Sequence, residues 1–375
     1  MIQPLQFLES LKKRGVEFFT GVPDSLLKGF LASIPINDKE HIITANEGAA
    51  VAFASGYHLA TGKTAMVYLQ NSGLGNIINP LTSLADKEVY RIPMLLLIGW
   101  RGQPGKKDEP QHKKMGAITQ ALLQTLGITQ YTLSLDSGDT WQEKLSAAII
   151  ETNQTKQPVA LVVEDGFFGD QSFPNENQYP LSAEDVIRSI YPLWNKEDVI
   201  VCNTGKTGRL FYSINKEEGG RIKKYFMNVG SMGHASSIAT ALALFSNRNV
   251  VLLDGDGSLL MHMGSLAVNT PVTGNNFSYI LLNNGTHQSV GGQPTAGFHV
   301  DFCTIAKGCG FKKTGLVTTE VQLKDWINNY KNEKNFTEIR INNQVRENLL
   351  RPAEDFGSAK NSFMQELQAA SWNRK

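Results

Sequence analysis

The chain has 375 residues, more than the roughly 150 that one ordinary core organises, so two domains of comparable size are expected. With 41% apolar and 19% charged residues and a net charge of +1, the composition is that of a soluble globular protein with no general attraction for nucleic acid or membrane, so any electrostatic function must be local. Cys202, Cys303 and Cys309 form neither a C-x-x-C pair nor a dense secreted pattern, which points to free thiols in a reducing compartment, by default the cytoplasm.

The opening MIQPLQFLESLKKRG reads as an amphipathic helix with Leu5, Leu8 and Leu11 on one side rather than as a targeting segment. No apolar run approaches the ~18 residues of a membrane span; MLLLIGW at 94–100 is strand-length. From 16 to 165, strand patterns (VEFFTGV, TAMVYLQ, IPMLLLIGW, PVALVVEDG) alternate with helical ones over 46–61 and near 115–126. The stretch FFGDQSFPNENQYPLSAED, poor in aliphatic residues, reads as a linker. Beyond it come DVIVCNTG, KYFMNVG, a helix over 234–246, NVVLLDGDG, a further helix, FSYILLNNG and a last α/β stretch from 315. The alternation predicts α/β architecture, each half a mostly parallel sheet covered by helices, with domains over 1–168 and 186–375 joined by a linker over 169–185.

Ligands of open α/β sheets bind beyond the carboxyl ends of the strands. Five such ends are rich in Gly, Asn, Asp or Ser: TGVPDS, LQNSGLGN, CNTGKTG, LLDGDGS and LLNNGTH. Known nucleotide patterns fail there. Tyr57 and Ile200 stand where the first glycine of a phosphate loop belongs, and Ile78 replaces the third glycine of a dinucleotide fingerprint. Zinc spacing and the G-x-S-x-G elbow are also missing. DGDGS remains, although alone it also fits a plain turn. Its neighbouring strand pattern ends in Asn283 and Asn284, so Asp256, the amide oxygen of Asn284 and a backbone carbonyl just beyond could offer three oxygens to a divalent cation such as Mg2+. Gly255 and Gly257 would let a diphosphate approach the backbone.

G-D-G-S followed, 28 residues after its Asp, by the second residue of an Asn-Asn pair resembles the signature of thiamine diphosphate enzymes. The resemblance implies Mg2+ on Asp256, Asn284 and the carbonyl of Thr286, with Thr204, Gly205, Gly257 and Ser258 at the diphosphate. In NVGSMGHASS it implies a carbonyl of Gly230 for the cofactor's amino group and Met232 as the apolar wedge that bends it. It further implies that Glu47, in N-E-G-A-A, meets the cofactor's pyrimidine ring. The residue pattern by itself leaves another reading open, since Thr44-Ala45-Asn46-Glu47 fits a capping box.

GVPDSLLKGFL, QNSGLGNIINPLTSL, GWRGQPGKKDEPQHKKMG and NNGTHQSVGGQPT resemble the phosphonopyruvate decarboxylase group of that family and its sulfopyruvate relatives, over about residues 5 to 345. As in that group, there is no room for the middle domain that most such decarboxylases insert. Homo-oligomers with active sites at subunit interfaces, and a small anionic 2-oxo acid as substrate, are implied. The segment 101–116 carries five Lys or Arg against Asp108 and Glu109, so it suits a phosphonate or sulfonate or is simply a solvated loop. Asp24, Ser25, Asn71, Arg101, Gln111, His112 and His287 are the expected substrate contacts. Asp24 and His112, with His287 as a further candidate, are expected to supply a proton, although each also reads as an ordinary loop residue. The continuous chain favours phosphonate, because sulfopyruvate enzymes are often split into two subunits.

Overall fold

A computed structural model describes residues 1–36, 39–135, 140–171, 173, 177–331, 333–352 and 354–368. It divides into two compact units, Met1–Pro174 with His287–Pro294, and Asn175–Thr286 with Thr295–Lys375. The linker stretch 169–185 therefore straddles the division, and some of it lies outside the described residues.

The first unit is built on β1 (Phe19–Gly21), β2 (His41–Ile43), β3 (Ala65–Gln70), β4 (Met94–Gly99), β5 (Thr129–Leu133) and β6 (Pro158–Val163), in the order β2-β1-β3-β4-β6-β5. Every pairing is parallel. Side chains of a strand alternate between faces, so one sheet feeds two cores. Tyr68, Leu95, Leu97 and Leu161 pack on one face, and Val67, Leu69, Leu96, Ile98 and Val162 on the other. That double burial is why MLLLIG has no polar residue at any register.

The second unit repeats the plan with β7 (Val199–Cys202), β8 (Tyr225–Met227), β9 (Val250–Gly255) and β10 (Phe277–Asn283), flanked by Asn335–Arg340 and Lys313–Val317. From the Lys313–Val317 edge the order runs through Asn335–Arg340 to β10, β9, β7 and β8, again all parallel. Two mostly parallel, helix-covered sheets are the architecture expected from the sequence.

Three local expectations need correction. Leu5 is 57% exposed, and the buried stripe of the helix Pro4–Lys13 is Pro4, Phe7, Leu8 and Leu11, the i, i+3, i+4, i+7 set. The helix expected near 115–126 begins at Pro110, whose fixed φ suits a first helical turn. The edge strands β2 and β5 were missed: one has only three residues, and TQYTL is exposed to half-buried until its last residue.

Candidate active site

In the first unit the helix Glu47–Thr61 is capped by Asn46, whose side-chain oxygen accepts from the Ala49 amide at 2.9 Å. Thr44 instead donates its hydroxyl to the Asn46 carbonyl at 3.0 Å. The capping-box reading of Thr44 to Glu47 is thereby overturned, and Glu47 is left as the first helical residue, its carboxyl acted on by the Asn76 side chain and by its own backbone N–H. Glu47 is 6% exposed and accepts from the Asn76 amide at 2.6 Å. Burial raises its pKa against the Asn76 hydrogen bond, and no basic group acts on it. Its slot is kept open by Gly73: a Cβ there would fall 2.3 Å from the Glu47 Oε1. Sequence reasoning picked the QNSGLGN loop but had no signal for Gly73 and Asn76, which are defined only by what approaches them.

Asp24 is fully buried against Gly99, where an added Cβ would sit 2.0 Å from Asp24 Oδ1. That oxygen accepts from the Leu26 amide at 2.9 Å, while Oδ2 has no partner among the described residues. Burial pushes the carboxyl up to about 6, opposed by backbone N–H groups and Arg101. Such a group can exchange a proton near neutrality.

Arg101 is engaged by neighbouring side chains. Its guanidinium fork closes on Asp108, with Nε 2.8 Å from Oδ2 and Nη2 on Oδ1, and Nη1 donates to the Ser25 hydroxyl at 2.7 Å. The bidentate face that would grip an oxyanion is therefore occupied from within the same loop. Desolvation would raise Asp108, but the Arg101 contact and the Glu109 and Gly102 amides hold it well below the usual carboxylate range. Asn71 is also internally engaged: it donates to the Arg101 carbonyl at 2.7 Å and Thr119 at 2.9 Å, and accepts from the Arg101 amide at 3.2 Å. It braces the Arg101 turn. Gln111 and His112 lie in the first turn of the helix Pro110–Thr125; Gln111 keeps a buried side-chain oxygen with no partner among the described residues, and desolvation and Arg101 lower the His112 pKa. A cavity of ≈ 470 Å³ within this unit touches Ser25, Arg101, Lys28, Lys106 and Lys107, but not Asn71, Gln111 or His112. His287 is half-buried and opens the 287–294 segment that clusters with this unit.

In the second unit the expected residues gather at the carboxyl ends of adjacent strands. Gly255 closes β9 and caps the helix Asp256–Met261, which puts Asp256, Gly257 and Ser258 in its first turn. Asp256 is 2% exposed and accepts from the Thr295 hydroxyl, and the backbone N–H groups of Asp256, Asn284 and Gly257 lie near enough to favour its charged form. Burial pushes it up to about 6, and among the described residues it makes no ion pair. Asn284, 8% exposed just beyond β10, accepts from the Thr286 amide at 3.1 Å. Ser258 accepts from the Gly233 amide at 3.2 Å, which ties the helix start to the loop of Gly230 and Met232, both half-buried. Thr204 donates to the Val229 carbonyl at 2.8 Å, and Gly205, at φ 97°, caps the helix Lys206–Glu217.

A buried carboxylate that makes no ion pair among the described residues, one strand end away from the amide side chain of Asn284, is the kind of oxygen donor that suits a hard divalent cation. Among the described residues there is no group of three or more His, Cys, Asp or Glu, so any cation here would rely on mixed oxygens. Asp254 departs from its turn reading. It belongs to β9, is 1% exposed, and accepts from the Tyr279 hydroxyl at 2.6 Å.

Residues 6–123 match the family model described as thiamine pyrophosphate enzyme, N-terminal TPP binding domain, and residues 203–341 match its C-terminal TPP binding domain. A phosphonopyruvate decarboxylase of Streptomyces viridochromogenes is 32% identical over 87% of this chain and 84% of its own. Another, of Streptomyces hygroscopicus, is 32% identical over 83% and 80%. A sulfopyruvate decarboxylase of Methanosarcina acetivorans is 28% identical over 89% of both chains. That last relative is aligned as one chain over 89% of its length, so continuity does not argue for phosphonate as the sequence suggested. The two domains, the strand-end glycines and the relatives agree: this chain belongs to the thiamine diphosphate-dependent decarboxylases of the phosphonopyruvate and sulfopyruvate decarboxylase type.

Proposed function

We propose that the chain decarboxylates 3-phosphonopyruvate to phosphonoacetaldehyde and carbon dioxide, with thiamine diphosphate and Mg2+, as a step of phosphonate biosynthesis. The observation that carries the catalytic part is Glu47, a buried carboxyl in a slot cleared by Gly73 and lacking any cationic partner. Bound thiamine diphosphate supplies the nucleophilic carbon and the electron sink that loss of carbon dioxide from a 2-oxo acid requires. Glu47 holds a hydrogen bond, and at need a proton, at its carboxyl oxygens. Asp256, Asn284 and the Thr286 carbonyl would hold Mg2+, with Thr204, Gly205, Gly255, Gly257 and Ser258 toward the diphosphate and Gly230 and Met232 toward the rings. Asp24, with one carboxyl oxygen unpartnered, is the first choice to move a proton to product, and His112 the second. Homo-oligomerisation, with Glu47 serving a cofactor held by another copy, belongs to the same reading.

The phosphonate assignment is supported by the names of the two Streptomyces relatives, and sulfopyruvate by the Methanosarcina one. Steady-state decarboxylation of phosphonopyruvate, sulfopyruvate and pyruvate, measured side by side, tests it. The highest kcat/KM is expected for phosphonopyruvate. A preference for sulfopyruvate overturns the substrate but not the chemistry, and no carbon dioxide release from any of them overturns both.

A further inference from the structure

We propose that Asp254 is a positioning residue of the thiamine diphosphate site, a buried carboxylate that fastens the loops after β7 and β9 to strand β10 and so shapes the Gly255–Ser258 turn before the cofactor arrives. The inference rests on reading this half of the chain as the diphosphate site.

In the β9–β10 ladder Asp254 lies opposite Leu281, and Tyr279 opposite Leu252. Asp254 and Tyr279 are therefore diagonal neighbours on one face, a separation that a tyrosine spans. The Tyr279 hydroxyl donates to Oδ2 at 2.6 Å, and the Gly255 amide to Oδ1 at 2.9 Å. The side chains of Ser258 and Asn203 lie near enough to favour the charged carboxylate. Two donors, from β10 and from the end of β9, are thus at hydrogen-bond distance, and two further polar groups, from the helix that follows β9 and from the loop after β7, add to them. Ser258 in turn accepts from the Gly233 amide, so the chain of contacts reaches the loop of Gly230 and Met232.

Packing alone does not require an acid here. The preceding residues of β9, Val250 to Leu253, are apolar and buried, and a leucine at 254 would continue them. A buried carboxylate that makes no ion pair among the described residues is costly unless hydrogen-bonded. Its donors all come from groups whose placement decides where Asp256 and Ser258 point.

Asp254→Asn, Asp254→Leu and Tyr279→Phe test this, by calorimetric titration of apo-protein with thiamine diphosphate at saturating Mg2+, beside apo thermal unfolding and the KM for cofactor and for substrate. Cofactor binding is expected to weaken roughly tenfold or more in folded Asp254 variants, the scale of a lost hydrogen bond to a charged group. The KM for cofactor should rise while that for substrate moves little. Tyr279→Phe, which removes one hydroxyl, is expected to show a smaller loss in the same direction, and it carries the test if the Asp254 variants do not fold. Affinities within about twofold of wild type in every folded variant overturn the proposal. A wild-type protein that binds no thiamine diphosphate overturns it together with the reading on which it rests.

Discussion

Glu47 and Gly73 form a unit at the scale of single residues. Replacing Glu47 with Gln keeps the size and the contact to Asn76 but removes the ionisable proton. Since the carboxyl is buried without a counter-ion, its neutralisation should not destabilise the apo-protein. Turnover, however, should fall by roughly 10²- to 10⁴-fold, the usual worth of a general acid–base group, measured as carbon dioxide release at saturating cofactor. Near-normal turnover would remove Glu47 from the chemistry. Gly73→Ala should lower turnover while leaving Glu47 chemically unchanged, because its Cβ would fall 2.3 Å from Glu47 Oε1 and must displace the carboxyl. Equal rates for Gly73→Ala and wild type would show that the side chain has room to spare. Glu47 and Asp256 are singled out through the short patterns that carry the family resemblance, since the residue pattern alone leaves a capping residue and a turn residue as readings. The sequence could not show that Arg101 is held by Asp108 or that Asp254 meets Tyr279, because those partners are chosen by the folded loop and by the neighbouring strand.

At the scale of elements, the start of the helix Glu47–Thr61 decides whether Glu47 is free. The cap is Asn46, so Asn46→Ala should destabilise the protein by about 1 kcal/mol, the common cost of losing a side-chain cap. Urea unfolding gives the number; an unchanged midpoint with unchanged slope would mean that another group takes over the Ala49 amide. The distinction between Asn46 and Thr44 as cap lay beyond sequence reasoning, because both residue types favour the position and only backbone geometry separates them: Asn46 is extended, at φ −149° and ψ 164°. Elements with strong patterns were legible for the opposite reason. β4 and β6 are buried along their whole length, and only an unbroken apolar run satisfies that. The edge strands β2 and β5 face solvent along part of their length, so tertiary pairing rather than composition defines them.

For the whole molecule, acids whose pKa burial raises make stability depend on pH. Asp24 illustrates the sign. Its pKa rises from an ordinary 3.8 to about 6 on folding, so the native state binds the proton more tightly than the unfolded chain. The resulting stabilisation is complete below about pH 4 and is lost as pH rises through about 6. At 1.36 kcal/mol per unit the difference amounts to about 3 kcal/mol as an upper bound. Asp24→Asn retains an oxygen for the Leu26 amide and cannot ionise. The stability of the variant minus that of wild type should therefore increase between about pH 4 and pH 7, by up to about 3 kcal/mol, when apo-proteins are unfolded in urea across that range. Subtracting wild type at each pH cancels Asp256, whose shift has the same direction, and Asp108, whose shift is opposite. A pH-independent difference would show that Asp24 ionises as easily in the fold as outside it. If Asp24 moves the product's proton, the same substitution that stabilises the apo-protein at neutral pH should also slow turnover, so stability and activity would change in opposite directions at one buried carboxyl.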